Sequence, residues 1–169
     1  MNVDSVLIAD EDLESIAIVK EALLQNRIDA ILCLGDTIYE SHDGLDSLNV
    51  IAEKNVNVII SEIDMPNLPA DNLIEFLIDN QIIDDAIILF LTKANNPKEL
   101  TPLMKQYAVG LLSKPFSTKQ LVASFTDLMM EQVQKAEITQ RVNMKRDAEC
   151  GLTFNILERL INKVSPARS

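Results

Sequence analysis

The chain has 169 residues, of which 47% are hydrophobic, and a formal net charge of −11 at pH 7. This length and apolar content predict one folded domain with an additional segment, and they argue against a disordered chain. No apolar run approaches the roughly 20 residues that a membrane-spanning helix needs, so we predict no membrane insertion.

The sequence gives no sign of export. The first residues lack the basic stretch and following apolar stretch of a secretory signal peptide. Cys33 and Cys150 are isolated cysteines without the CxxC spacing of a redox or zinc site. Because reduced thiols are typical of the cytoplasm, we predict a cytoplasmic protein.

The charge is unevenly distributed. Residues 1–132 contain 8 basic and 22 acidic side chains, a net charge of −14, whereas residues 133–169 contain 7 basic and 4 acidic side chains, a net charge of +3. An acidic body repels the phosphates of nucleic acids. The basic tail has no dense Lys/Arg cluster, so we predict no direct nucleic-acid contact.

Apolar runs alternate with amphipathic stretches along residues 1–132. The predicted strands, in chain order, are Ser5–Ala9, Ala30–Leu34, Val56–Ile60, Ala86–Leu91 and Val109–Ser113. The predicted helices are Leu13–Gln25, Leu45–Lys54, one containing Leu73–Ile78, Lys98–Tyr107 after Pro97, and Thr118 to about Gln132. Apolar strands separated by helices imply a parallel sheet covered on both faces.

Residues 133–169 are predicted to form a helical extension. Apolar residues recur there at helical spacing, at Leu152, Ile156, Leu160, Ile161 and Val164. We expect Gly151 to separate this helix from an upstream one. The extension could pack on its own domain, form a dimer, bind a partner or link to an output module.

Functional side chains follow four of the predicted strands. They are Asp10-Glu11-Asp12, Glu62 with Asp64, Thr92, and Lys114. In a doubly wound sheet, the carboxyl ends of the strands form the functional crevice. We therefore expect these acids, the hydroxyl and the amine to converge.

At these positions the sequence resembles the response-regulator receiver domains of two-component systems. The resemblance covers about residues 4–130 and rests on four motifs: Val6-Leu-Ile-Ala-Asp-Glu-Asp12, Ser61-Glu-Ile-Asp-Met-Pro66, Phe90-Leu-Thr92 and Gly110-Leu-Leu-Ser-Lys-Pro-Phe116. It implies an α/β, flavodoxin-like, doubly wound (βα)5 fold with strand order 2-1-3-4-5. The domain would span residues 1–132, and the helical extension residues 133–169.

The resemblance also implies roles for individual residues. Asp10 and Glu11 match the acidic pair that holds Mg²⁺, a cation that prefers oxygen ligands. The backbone carbonyl of Asp64 matches a further metal ligand. Thr92 matches the hydroxyl that hydrogen-bonds the phosphoryl group, and Lys114 matches the lysine that pairs with it.

Glu62 occupies the position of the phosphorylated Asp, and this is the main departure from the family pattern. Its longer side chain could reach Lys114 and Thr92 and imitate part of the phosphorylated state, or it could abolish phosphorylation. As a carboxylate, Glu62 remains a candidate metal ligand, so Mg²⁺ stays a candidate cofactor. Phosphorylation of Asp64 or of Glu62 itself is the alternative.

Three further departures concern the surroundings of the site. Leu111 stands where the family often has an aromatic switch residue, and we interpret it as packing. Lys93 follows Thr92 and either crowds the pocket or pairs with an acid. The segment 34–44 reads as a long loop, with His42 as an exposed loop residue.

These observations favour a non-enzymatic signalling module. We expect it to bind a histidine kinase or an output protein and to form a homodimer. A Mg²⁺-dependent receiver with an unusual acceptor is the alternative. An unrelated flavin-binding or other doubly wound enzyme is disfavoured, because no glycine-rich phosphate loop follows the first strand.

Overall fold

A computed structural model describes residues 5–25, 37–93, 101–107 and 109–164, with the backbone alone for 142–164. Its strands are β1 Val6–Ala9, β2 Ile38–Ser41, β3 Val58–Glu62, β4 Asp64–Met65, β5 Leu68–Pro69, β6 Ile87–Lys93 and β7 Val109–Lys114. Its α-helices are α1 Leu13–Gln25, α2 Gly44–Lys54, α3 Ala70–Asp79 and α4 Thr118–Val164. Short 3₁₀ turns span Ile83–Asp85 and Met104–Gln106.

Five strands form one parallel sheet in the order β2-β1-β3-β6-β7. The strands β4 and β5 form a separate antiparallel ribbon. Without that ribbon, the order is the predicted 2-1-3-4-5, so the predicted fold class is confirmed. The order reverses at β1 and β3, which are neighbours, and this places the crevice at their carboxyl ends.

The sheet buries both of its faces. Alternate residues of a strand point to opposite faces, and on β1 Val6 and Ile8 join one cluster while Leu7 and Ala9 join the other. The first cluster includes residues of α1 and the start of α4, and the second includes residues of α2 and α3. This explains why the central strands are apolar throughout.

The position of the second strand corrects the sequence interpretation. The structure places β2 at Ile38–Ser41, inside the segment interpreted as a long loop. The predicted strand Ala30–Leu34 lies outside the described residues. Because α2 begins at Gly44, only two residues separate it from β2, so the loop preceding α2 is short.

A β-carbon at Gly44 would overlap Leu68 and approach the Pro66 carbonyl oxygen, so only glycine fits where α2 meets the β4–β5 ribbon.

The predicted helix Lys98–Tyr107 is also wrong over its described part. Residues 101–107 contain one 3₁₀ turn, Met104–Gln106, and the Met104 N–H donates to Thr101 Oγ1 at 3.3 Å. Pro102 explains the difference, since a proline inside a helix removes a hydrogen bond and clashes with the preceding turn. Residues 98–100 lie outside the described ranges.

Helix α4 runs from Thr118 to Val164 without a break at Gly151, so the predicted separation there is wrong. Glycine costs a helix about 1 kcal/mol relative to alanine, which long helices tolerate.

The chain divides into two compact units, Met1–Gln132 and Val133–Ser169. Within the described residues, no helix combines the length and apolar character needed to cross a membrane.

Candidate functional site

The predicted site residues come from the carboxyl ends of four parallel strands. Asp10 directly follows β1, Glu62 ends β3, Thr92 lies near the end of β6, and Lys114 ends β7. Strands β6 and β7 are in register, with Thr92 opposite Ser113 and Lys93 opposite Lys114. Asp10, Glu62 and Thr92 are all buried. The sheet therefore places two carboxylates, a hydroxyl and an amine at one edge.

Lys114 joins the two buried carboxylates. Its Nζ lies 2.5 Å from Asp10 Oδ2 and 2.6 Å from Glu62 Oε2. The Lys114 side chain is 17% exposed, whereas Asp10 and Glu62 are 0% and 1% exposed. Because Lys114 pairs with both acids, its single positive charge offsets two buried negative charges.

The protonation of Lys114 follows from these partners. Burial alone would lower its pKa, but the hydrogen bonds and charges of Asp10 and Glu62 outweigh that effect and raise the pKa above the ordinary value. The ammonium group is therefore positive throughout the neutral range. Both carboxylates lie at charge-assisted hydrogen-bond distance from it.

Lys93 supplies a second positive charge on the solvent side of the site. Its Nζ lies 2.8 Å from Glu11 Oε1 and 3.6 Å from Glu62 Oε1. The hydrogen bond from Lys93 to Glu11 and the negative charge of Glu62 raise the pKa of Lys93. Of the two interpretations offered by the sequence, the structure shows pairing with acids.

Glu62 has two unequal carboxylate oxygens. Oε2 binds Lys114, while Oε1 is buried and has no hydrogen-bond partner among the described residues. The Lys93 ammonium at 3.6 Å is a charge partner of Oε1 but lies beyond hydrogen-bond distance. A buried oxygen without a hydrogen-bond donor is unusual in a folded protein, and here a nearby ammonium charge compensates it.

The remaining acids near this edge have other partners. The Asp12 N–H donates to Asp10 Oδ1 at 3.0 Å, and Asp12 Oδ1 accepts from the Glu14 N–H at 3.0 Å, which caps α1. Asp64 pairs with Pro69 in the β4–β5 ribbon, and its side chain is exposed. Glu62 therefore reaches Lys114 from the strand end, while Asp64 lies beyond that end.

The surroundings of His42 were not predicted from the sequence, whereas those of Leu111 were. His42 directly follows β2, and its Nδ1 lies 3.3 Å from the Asp10 carbonyl oxygen, although its side chain is exposed. Placing β2 correctly would have put His42 at the same edge as Asp10. Leu111 packs against the cluster that includes α2 and α3.

The acids are arranged poorly for a divalent metal. Within the described ranges, no group of three or more His, Cys, Asp or Glu side chains is placed to hold a metal ion. The two lysine ammonium groups already bind Asp10, Glu11 and Glu62. Mg²⁺ requires near-octahedral oxygen ligands at about 2.1 Å, so in this arrangement the residues do not fit that ion.

A groove of about 510 Å³ opens beside the two lysines. It lies between α1 and the segment after β7, and its lining consists of Asp12, Ser15, Ile18, Lys93, Lys114, Pro115 and Phe116. The peptide bond between Lys114 and Pro115 is cis. Reagents in solution can therefore approach the site from this side.

Comparison with known proteins identifies the family. A sequence profile described as "Response regulator receiver domain" matches residues 6–126. The chain belongs to the response regulator receiver family. The predicted recognition is therefore confirmed: residues 6–126 form a receiver domain of the response-regulator type.

One curated protein is similar in sequence to most of the chain. A protein named "Probable transcriptional regulator ycf29" from Pyropia yezoensis is 28% identical over 123 residues, which are 73% of this chain and 54% of that protein. The receiver domain thus spans about half the length of this curated relative.

Two solved structures show the fold alone. A CheY-like receiver domain protein from Methanospirillum hungatei is 21% identical, with a TM-score of 0.60, over 79% of this chain and 99% of that chain. A Francisella receiver domain is 23% identical, with a TM-score of 0.58, over 76% and 98%.

Proposed function

We propose that this receiver is a non-enzymatic, cytoplasmic interaction module that transmits signals without being phosphorylated. The observation that carries the proposal is the pairing of Glu62 Oε2 with Lys114 Nζ at 2.6 Å. Lys114 matches the lysine that pairs with a phosphoryl group in the family. In this chain a carboxylate of the protein itself already holds that lysine.

The energetics favour one arrangement of these side chains. Glu62 and Asp10 are almost completely buried, so both need Lys114 for charge compensation. Removing one partner of a buried ion pair typically costs about 3 to 5 kcal/mol. A phosphoryl group attached elsewhere would have to displace Glu62 from Lys114, and this cost opposes that exchange.

The imitation of phosphorylation is partial. A phosphoryl group carries a charge of about −1.5 to −2 and three acceptor oxygens, whereas a carboxylate carries −1 and two oxygens. We propose that Glu62 fixes one state of the domain for a kinase or output protein to recognise. The proposal assigns no step to Mg²⁺.

Self-association is a further part of the proposal. Val133 and Ile138 in the second unit are exposed, at 42% and 62%, and exposed apolar side chains support an interface between two copies. The acidic first unit and the basic tail provide opposite charges for such an assembly. Light scattering would measure the mass in solution, and a monomer at all concentrations would contradict this part.

The test is incubation of the full chain with acetyl phosphate and Mg²⁺, followed by intact mass spectrometry. We expect no stable addition of a phosphoryl group and no change in assembly by light scattering. Phosphorylation of Asp64 or Glu62, located by peptide mapping after borohydride reduction, would support the alternative acceptor and overturn the proposal. Glu62→Gln is the matched control, since it removes the carboxylate and keeps the length.

A further inference from the structure

Lys93 bridges acids that come from two different strand ends. It belongs to β6, Glu11 follows β1, and Glu62 ends β3. Its ammonium nitrogen lies 2.8 Å from Glu11 Oε1 and 3.6 Å from Glu62 Oε1. The side chain is 50% exposed, so the charge reaches the site from solvent.

The charges of the site show what Lys93 contributes. Asp10, Glu11 and Glu62 carry three negative charges, and Lys93 and Lys114 carry two positive ones, which leaves −1. Without Lys93 the same site would carry −2, the charge that a divalent cation neutralises. Lys114 compensates Asp10 Oδ2 and Glu62 Oε2, and Lys93 compensates Glu11 Oε1 and Glu62 Oε1.

The second carboxylate oxygen of Glu62, Oε1, also lies beside Lys93. Oε1 is buried without a hydrogen-bond donor among the described residues and faces a cation at 3.6 Å. That oxygen and Glu11 Oε1 are the two carboxylate oxygens that pair with the Lys93 ammonium group. Lys93 itself lines the groove, so ions in solution can approach its ammonium group.

We infer that Lys93 is a built-in cation that takes the place of a divalent metal at this site. The ammonium group compensates Glu11 and Glu62 and repels an incoming Mg²⁺ or Mn²⁺. Removing the Lys93 charge frees Glu11 and Glu62 from this ammonium group and leaves the site with a net charge of −2, which favours a divalent cation. The inference rests on the proposed function to the extent that both concern one site, and it adds a reason why that site stays unphosphorylated.

The test measures metal binding directly and needs no activity. Mn²⁺ is titrated into the full chain, and its binding is followed by calorimetry and by paramagnetic broadening of the amide signals near Asp10 and Glu62. We expect Lys93→Met to bind Mn²⁺ at least about tenfold more tightly than the parent, equivalent to about 1.4 kcal/mol. Lys93→Gln, which also removes the charge, should behave in the same way.

Lys20→Met is the matched control. Lys20 forms a surface pair with Glu40 at 2.5 Å, so the control makes the same change in net charge away from the site. It should bind Mn²⁺ as the parent does. The inference is overturned if the parent binds Mn²⁺ as tightly as Lys93→Met, or if both charge-removing variants, folded by circular dichroism, gain no affinity.

The two proposals fail separately. A parent that binds no metal but takes up a phosphoryl group would contradict the proposed function and leave the inference about Lys93 standing. A parent that binds Mn²⁺ tightly but stays unphosphorylated would contradict only the inference.

Discussion

Lys114→Met should lower the free energy of unfolding by about 3 kcal/mol or more, because it leaves two buried carboxylates without their shared cation. Asp10 and Glu62 are 0% and 1% exposed, so water cannot replace the lost charge. The loss would be measured by urea unfolding at pH 7. The raised pKa of Lys114 keeps its stabilising charge fully present below the ordinary lysine value of 10.5, and that stability is lost only as the pH rises through the higher folded value.

Two further variants test whether the loss of stability comes from the buried ion pairs of Lys114. Lys20→Met breaks an exposed pair and should cost less than about 1 kcal/mol. Adding Glu62→Met to Lys114→Met removes one orphaned charge and should restore at least about 1 kcal/mol of stability, since contacting residues are energetically coupled. A cost for Lys114→Met that equals the surface control would contradict the pairing described for this site.

A gain of phosphorylation is the second large effect. The double variant Glu62→Asp/Lys93→Ala shortens the acceptor by one methylene, about 1.5 Å, and removes the outer ammonium group. With acetyl phosphate and Mg²⁺ we expect it to incorporate phosphoryl groups at least about tenfold faster than the parent, which corresponds to an activation barrier lower by about 1.4 kcal/mol. Intact mass spectrometry over time would measure the rate.

The single variants separate the two causes. Glu62→Asp alone keeps Lys93 beside Glu11, and Lys93→Ala alone keeps Glu62 on Lys114, so each should react much more slowly than the double variant. If the double variant binds Mn²⁺ but takes up no phosphoryl group, neither the length of the Glu62 side chain nor the Lys93 charge is what prevents phosphorylation. A parent that reacts as fast as the double variant would contradict the account directly.

The fold could be predicted where burial makes the pattern strong. The sequence places β3, β6 and β7 within about two residues of their observed ends, and β3 and β6 are buried along nearly their whole length. Strand β2 was missed, because its residues Ile38, Tyr39 and Glu40 are only partly buried or exposed and do not form an apolar run. The second strand was predicted instead at Ala30–Leu34, an upstream run that is more apolar.

The helix errors have local causes. Pro97 suggested a helix start, but Pro102 lies where the helix would have continued, and the described residues there form one 3₁₀ turn. Gly151 suggested a break, yet α4 continues through it, because one unfavourable residue does not end a long helix.

The members of the site could be predicted from the sequence, but its contacts could be predicted only as alternatives. Topology alone brings the ends of β1, β3, β6 and β7 together, so Asp10, Glu62, Thr92 and Lys114 could be named from the sequence. Which lysine binds which oxygen depends on side-chain lengths and register. The bridge from Lys93 to Glu11 and Glu62 is therefore visible only in three dimensions.

The measurement that tests the central claim most directly is the ¹⁵N spectrum of the lysine ammonium groups, before and after addition of acetyl phosphate and Mg²⁺. The account predicts a Lys114 signal that is protected from solvent exchange by its pairs with Asp10 and Glu62, unchanged by the addition, and shifted by Glu62→Gln. A Lys114 signal that moves when acetyl phosphate and Mg²⁺ are added, or that ignores Glu62→Gln, would contradict the claim that Glu62 holds this receiver in one state.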